Sequence, residues 1–358
     1  MIEWIDLFVT DACNMKCKYC FHPTGSNFLS TDLAVSYLKD LMAEMSDKCI
    51  INFFGGEPLL NQEAIRAVVD FVKSIGKKYC FSISTNGLVF ERDFFLFMKE
   101  NNFHIQISMD GAKKTQDENR GDYDAIRENV GKMKELGLEL SARMTCDTGC
   151  MDDLSSNMKH LHEIGFNSIM HQPVMDNSWN EESIDSYAKQ FQEISSFFEE
   201  HRDCRSVFLN NSKLSRVVSL NDPTCKAGKT LIAIDVSGDV YPCHRFASNK
   251  NYKLGTTKSF HRGIFSKITR KNMEKCFSCD AKQTCHMCMA ANYEVNGSIT
   301  ETIDNYCNLI RKENQLMKKQ AATMRNKTLN RIEEGVDNLL SLVINLCKIE
   351  LERNEKNG

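Results

Sequence analysis

The chain reads as an α/β protein built on a parallel sheet, followed by a smaller cysteine-rich region. Three observations predict this. Residues 1 to about 200 alternate short apolar runs with longer amphipathic stretches, the pattern of βα units. From about residue 220 cysteines recur and helical periodicity weakens, as in a segment that can lack a large core and be held by metal. The length, 358 residues, exceeds one small core and suits a large domain with a smaller one.

The strands are expected at Trp4–Val9, Cys49–Phe54, Tyr79–Ser84, His104–Ser108, Glu139–Cys146 and Asn167–Pro173. Each is short and rich in Ile, Phe or Val, and most are bounded by Gly, Asn or Asp. Helical patterns lie between them at Leu33–Met45, Gln62–Ile75, Arg92–Asn101 and Tyr123–Leu136. Parallel strands joined this way put their following loops on one face. There CNMKCKYC (13–20) follows the first strand, GGEP (55–58) the second, STNG (84–87) the third and SMDG (108–111) the fourth. Residues 181–203 read as a connecting helix. Residues 311–358 read as helical again, with an apolar stripe of Ile332, Val336, Leu339, Val343 and Leu346 that packs on the main body. The implied domains are 1–203, 204–310 and 311–358.

Composition narrows the classes of function. Hydrophobic residues are 42%, charged residues 26% and the formal net charge is −3, an ordinary globular balance with no basic field for nucleic acid. MIEWIDLFVT lacks the basic region of a signal peptide, and no run approaches the ~18 apolar residues of a membrane helix. The expected location is the cytoplasm. Sixteen cysteines then argue for metal over disulfides, because the cytosol keeps thiols reduced. Ten are grouped: Cys13, Cys17 and Cys20, then Cys225, Cys243, Cys276, Cys279, Cys285, Cys288 and Cys307. Cys49, Cys80, Cys146, Cys150, Cys204 and Cys347 are scattered and read as small buried hydrophobes.

CxxxCxxC can hold three corners of a cuboidal iron–sulfur cluster and leave one iron open to a substrate or cosubstrate. A Cys3His zinc site with His22 is the structural alternative. Cys13, Cys17, Tyr19 and Cys20 match the signature of the radical S-adenosylmethionine (radical SAM) family, and GGEP resembles its glycine–glycine–glutamate loop. The resemblance covers roughly residues 1–200 and implies a partial parallel (β/α)6 barrel. It implies a [4Fe–4S] cluster on the three cysteines, with S-adenosylmethionine on the fourth iron. Tyr19 would lie against the adenine. Gly55, Gly56 and Glu57 would meet the methionyl amine, Ser108 and Asp110 the ribose, and Arg143 the methionyl carboxylate. The reaction implied is reductive cleavage to a 5′-deoxyadenosyl radical, which takes a hydrogen from a substrate carbon.

The second cysteine field, C-x12-G-x4-C followed by C-x2-C-x5-C-x2-C and Cys307, resembles the SPASM extension of radical SAM enzymes. That resemblance implies two auxiliary [4Fe–4S] clusters, three clusters in all. By position Cys276, Cys279, Cys285 and Cys307 would close one. Cys225, Cys243 and Cys288 would hold the other with three thiolates and an open iron. The last spacing is one residue shorter than usual in the family, and SLNDPT before Cys225 offers no eighth ligand; Cys204 is the nearest upstream. Structural zinc across all seven is the alternative.

The resemblance leaves three readings of function. The first is a maturase forming a thioether or carbon–carbon link in a ribosomally made precursor peptide, supported by YPCHRF (241–246) and KLG (253–255). With the first strand starting near residue 4, either a separate leader-peptide-binding protein is a partner or the core recognises the substrate, and a flavodoxin or ferredoxin reductant is expected. The second is an anaerobic sulfatase-maturating enzyme, against which His244 stands where those enzymes carry an Asp. The third is a non-catalytic iron–sulfur electron carrier. His244 is read both as a proton acceptor and as a structural hydrogen-bonding histidine.

Overall fold

The computed structural model describes residues 1–201, 205–206, 225–247, 249–282 and 284–333, with the backbone alone at 205–206 and 324–333. Cys204 and the stripe from Ile332 to Leu346 lie outside the described side chains.

Seven parallel strands follow one another: β1 (Ile2–Thr10), β2 (Met45–Gly55), β3 (Cys80–Thr85), β4 (His104–Ser108), β5 (Leu140–Cys146), β6 (Ser168–Pro173) and β7 (Arg205–Ser206). The helices between them are α1 (Thr31–Leu41), α2 (Gln62–Ser74), α3 (Arg92–Glu100), α4 (Lys113–Asn119), α5 (Tyr123–Glu135), α6 (Leu154–Glu163) and α7 (Glu181–Glu200). The sheet continues on its other side. β8 (Leu231–Ile234) pairs parallel with β1, and β9 (Asp239–Tyr241), β10 (Gly255–Thr256) and β11 (Ser259–Phe260) extend it antiparallel. Its order ends at β11 and β7, so the barrel is open and partial.

Alternation along the strands sorts the two faces. Ile5, Leu7, Ile51, Phe53, Ile83, Ile105 and Ile107 join the apolar core shared with the helices. The intervening Asp6, Asn52, Ser82 and Gln106 form a buried polar row on the other face. Asn52 Nδ2 donates to Asp6 Oδ1 at 2.8 Å and Gln106 Nε2 to Ser82 Oγ at 3.2 Å.

Some elements differ from the sequence reading. The helix expected over Leu33–Met45 starts earlier, because Ser30 Oγ accepts from the Leu33 amide at 3.3 Å. It stops at Leu41, because Met45 pairs with Ile2 at the start of β2. That polar first half of β2, MSDK, carries no strand pattern. β8 was not anticipated, since Thr230 and Leu231 follow a turn signal inside the cysteine field. The last helix, α10 (Asp304–Glu333), starts earlier than residue 311; α8 (Glu274–Phe277) and α9 (Met289–Asn296) precede it. It packs on α7 through Tyr187 Oη donating to Glu313 at 3.0 Å and a Lys312–Asp185 ion pair at 3.0 Å.

The cysteine-rich region does not rest on its cysteines alone. Tyr241, Phe246, Phe265, Ile268, Met273 and Met287 make an apolar cluster that takes Phe8 from β1. It is therefore tied to the barrel by packing as well as by the β1–β8 ladder. No helix among the described residues is long and apolar enough to cross a membrane.

Candidate active site at the strand ends

The loop after β1 carries the first three cysteines and is closed on itself. The Asp11 carboxylate accepts from the Asn27 amide at 2.6 Å and from Asn27 Nδ2 at 2.7 Å. Asn86 Nδ2 donates to Asn14 Oδ1 at 2.7 Å, and Lys18 pairs with Asp147 at 2.9 Å. The loop is thus anchored to the ends of β3 and β5.

Cys13, Cys17 and Cys20 are free thiols whose sulfurs act on one another electrostatically. Burial pushes the Cys13 and Cys17 thiols up, and neighbouring sulfurs push them further. Cys13 and Cys17 are partly buried and Cys20 is exposed; a polynuclear cation held by all three would relieve both the burial and the repulsion. His22 does not join them: its Nδ1 lies 3.3 Å from the Pro23 carbonyl and its ring 4.8 Å from that of Phe8.

The two glycines of GGEP serve this loop. A Cβ on Gly55, at φ +147°, would sit 2.1 Å from the Thr10 carbonyl oxygen, and one on Gly56 would sit 2.2 Å from that of Ala12. The close approach they allow is to the cysteine loop's own backbone, where Gly56 and Glu57 amides donate to Thr10 and Ala12 at 3.0 and 2.8 Å. Gly55→Ala is expected to cost on the order of 2–4 kcal/mol and to lower iron bound per chain at the first three cysteines. Unchanged stability and iron content would show that the loops separate without penalty.

Glu57, read from sequence as facing a methionyl ammonium, is 1% exposed. Its carboxylate accepts from the Leu59 amide (3.0 Å), Thr85 Oγ1 (2.6 Å) and the Asn86 amide (2.7 Å). It therefore clasps the second and third loops together. Burial pushes its pKa up to about 7 from 4.5, against those three donors. Because the folded value exceeds the unfolded one, the ionised group destabilises the fold. The penalty is absent below 4.5 and complete above about 7, so stability should fall by about 3 kcal/mol as pH rises through that window. Urea midpoints of wild type and Glu57→Gln at several pH values check this: the wild-type slope over that window should be missing from the variant.

Tyr19 and Asp110 meet each other and Arg120. The Tyr19 hydroxyl donates to Asp110, and the Arg120 guanidinium lies 5.1 Å from the centre of its ring. Asp110 is fully buried; besides Tyr19 it takes the Thr145 amide at 2.8 Å and faces Arg120 Nε at 3.0 Å. Its carboxylate is engaged by three groups of the fold. Arg120 was missed. Burial works against its charge, and Asp110, Tyr19 and Cys17 outweigh that and raise its pKa.

Ser108 and Arg143 face each other across β4 and β5. Neither side chain makes a hydrogen bond or ion pair to the described residues. Burial and the Arg120 charge lower the Arg143 pKa, while Asp6 raises it. An uncommitted guanidinium at the polar strand ends suits an anionic group such as a carboxylate.

His244 Nδ1 lies 2.8 Å from Asp6 Oδ2. Asp6, unremarked in the sequence, is 1% exposed and also accepts from Trp4 Nε1 at 2.8 Å. Burial would raise its pKa; His244, Trp4 and Asn52 together hold it below the usual carboxylate range.

The other seven cysteines fall into two groups. Cys225, Cys243 and Cys288 act on one another, with burial pushing Cys225 up to about 11 and Cys243 well above the usual thiol range. Cys276, Cys279, Cys285 and Cys307 form the second, burial pushing Cys307 up to about 11. All seven are free thiols. The donor sets, three and four sulfurs, fit iron–sulfur clusters.

Comparison with known proteins places these features. The Radical SAM superfamily model matches residues 7–153. The chain is 24% identical over 326 residues to a cysteine-type anaerobic sulfatase-maturating enzyme of Clostridium novyi (strain NT), covering 79% of this chain and 86% of that one. Its fold is that of native anSMEcpe with bound AdoMet and Kp18Cys peptide, with a TM-score of 0.75 and 20% identity over 90% of this chain and 99% of that one. It also resembles Streptococcus suis SuiB bound to precursor peptide SuiA, with a TM-score of 0.62 and 14% identity over 86% and 76% of the two chains. The chain therefore carries a radical SAM domain, is homologous to the anaerobic sulfatase-maturating enzymes, and has the fold of radical SAM/SPASM enzymes.

Proposed function

We propose that this radical SAM enzyme oxidises a cysteine or serine side chain of a protein or peptide, as a sulfatase-maturating enzyme does. The observation that carries this is the homology to cysteine-type sulfatase-maturating enzymes along 79% of the chain, joined to the three-sulfur group Cys13/Cys17/Cys20 near Glu57 and Arg120. This reverses the order of the readings given by sequence, where the peptide cross-link came first. The Asp-to-His difference that weighed against maturation loses force, because His244 is itself paired with a buried carboxylate, Asp6. A non-catalytic electron carrier gives no reason for Arg143 to stand uncommitted at the strand ends.

With a cluster on Cys13, Cys17 and Cys20, bound S-adenosylmethionine supplies a 5′-deoxyadenosyl radical that takes hydrogen from a substrate carbon. The protein's own part is to hold and to exclude. Arg143 would hold the carboxylate of the methionyl group and Ser108 a hydroxyl. Glu57, Gly55 and Gly56 would fix the loops around it. His244 would accept the substrate's proton. The groups Cys225/Cys243/Cys288 and Cys276/Cys279/Cys285/Cys307 would hold two auxiliary clusters, which would supply electron-transfer capacity. A flavodoxin or ferredoxin would reduce the first cluster.

The second reading, a cross-link in a precursor peptide, is favoured by the three-sulfur group Cys225/Cys243/Cys288, whose open iron could take a substrate thiolate. One assay separates the two. The protein is reconstituted anaerobically with S-adenosylmethionine and dithionite and given a synthetic sulfatase-type peptide with a single cysteine. An aldehyde that captures a hydrazide means maturation. Deoxyadenosine with no change in this peptide, together with loss of two hydrogens from a short peptide encoded beside the gene, means cross-linking.

A further inference from the structure

We propose that the inner face of β5 and β6 seats the substrate polypeptide, with Ser141 and Ser168 bonding its main chain and Met170 packing on the residue to be modified; this rests on the reading of the substrate as a protein or peptide given above. β5 and β6 pair residue against residue. Ser141 meets Ser168, Arg143 meets Met170 and Thr145 meets Gln172 on one face; Ala142 meets Ile169, Met144 meets His171 and Cys146 meets Pro173 on the other. Every member of the second set is buried, and every member of the first is partly exposed. Ala142, Met144, Cys146 and Ile169 belong to the core shared with the helices, so the first set faces the barrel interior.

Surface that stays accessible on the inner face of a barrel has open space against it. Here that space accompanies successive cross-strand pairs spaced two residues apart, about 13 Å from the first to the last. The neighbouring polar row on this face offers none. Asp6, Asn52, Ser82 and Gln106 are buried, and they pair off, Asn52 with Asp6 and Gln106 with Ser82. Gln106 is the sheet neighbour of Ser141, so the lining changes from closed to open at β5.

The chemistry of the open pairs suits a peptide. The pair nearest the cysteine loop is already engaged: Arg120 Nη2 donates to Thr145 Oγ1 at 3.2 Å, and Gln172 Nε2 donates to the Pro173 carbonyl at 3.0 Å and the Tyr306 hydroxyl at 3.5 Å. The side chains of Arg143/Met170 and Ser141/Ser168 make no hydrogen bond to the described residues. With Arg143 turned to a methionyl carboxylate, the rest of this lining is neutral, two hydroxyls and a thioether. Hydroxyls donate and accept, as the N–H and C=O of a main chain require. Met170 is unbranched and polarizable, and such a side chain adapts to irregular apolar neighbours. An extended segment repeats its side-chain direction every two residues, the spacing of the pairs. A modified residue held at Arg143/Met170, beside the cosubstrate, puts its second neighbour at Ser141/Ser168. A lysine or arginine there would meet the Arg143 charge, so the segment is neutral or acidic at both places.

The test is photocrosslinking to the anaerobically reconstituted enzyme with S-adenosylmethionine and no reductant, so that binding is read without turnover. The probes are the sulfatase-type peptide and the short peptide encoded beside the gene, each with benzoylphenylalanine two residues from a cysteine. Crosslinks mapped to Ser141, Ser168 or Met170 are expected. Given by the sulfatase-type peptide, they support both the seat and the reading of the substrate. Given by the other peptide alone, they support the seat and count against cysteine or serine oxidation. No crosslink from either peptide, or crosslinks only elsewhere, overturns the proposal. Ser141→Ala combined with Ser168→Ala should weaken binding of the crosslinking peptide, followed by fluorescence anisotropy, at least about tenfold, the loss of two ordinary hydrogen bonds, with iron content and affinity for S-adenosylmethionine unchanged. Equal affinity overturns the proposal. Should that variant fail to hold iron, the crosslinks of the wild type decide.

Discussion

Replacing Cys13, Cys17 and Cys20 together with alanine should reduce deoxyadenosine formation to background while the other seven cysteines keep the iron they hold. The physical reason is the separation of the sulfur groups. The first three act on one another, on Glu57 and on Arg120. The other seven act among themselves and with different neighbours, such as Arg270 and Arg311 for the group at Cys276. Sites without shared partners respond independently. Their loop is also anchored by Asp11, Asn14 and Lys18, none of which the substitution removes, so the fold should persist. Iron per chain and deoxyadenosine are both measured after anaerobic reconstitution. Continued deoxyadenosine release would overturn the assignment of this loop, and loss of all iron would mean that the groups fold as one.

Arg120→Met should be the most damaging single change to the barrel, costing about 3–5 kcal/mol. The Asp110 carboxylate is fully buried, and Arg120 is its one cationic partner among the described residues. The Thr145 amide and the Tyr19 hydroxyl would remain, both neutral. Removing the guanidinium leaves a buried charge to be protonated or hydrated. The damage should also reach the cysteine loop, because Arg120 lies against the Tyr19 ring and acts on Cys17. Anaerobic urea unfolding gives the loss, and Asp110→Asn in the same chain should recover at least half of it. No recovery would place the role of Arg120 in packing of its aliphatic stem instead.

The strands and the loops that follow them were legible because their signals are local. Alternation in β3 and β4 and the cysteine spacing in residues 13–20 depend on neighbours a few positions apart. β2 was read at half its length, because MSDK has no apolar pattern and is recruited by pairing of Met45 with Ile2. Gly55, Gly56, Glu57, Tyr19 and Asp110 stood out by motif. In the structure the glycines and Glu57 clasp loops, and Tyr19 and Asp110 contact Arg120. A motif shows that a residue is needed, and the burial around it shows for what. Asp6 carried a readable signal, a lone carboxylate inside the apolar run WIDLFV. A buried charge must have a partner, but nothing local says that the partner is His244.

By itself the sequence determined the parallel α/β class, the three-cysteine loop after the first strand and the resemblance of that loop to the radical SAM signature, since each is written in short-range spacing. The tertiary structure decided which groups remain free to act. It tied up Glu57 and Asp110, left Arg143 and Ser108 without a side-chain partner among the described residues, and joined Asp6 to His244 across 238 residues. Those outcomes depend on which side chains from distant segments arrive at the same buried place, and desolvation there makes each pairing, or each lack of one, count.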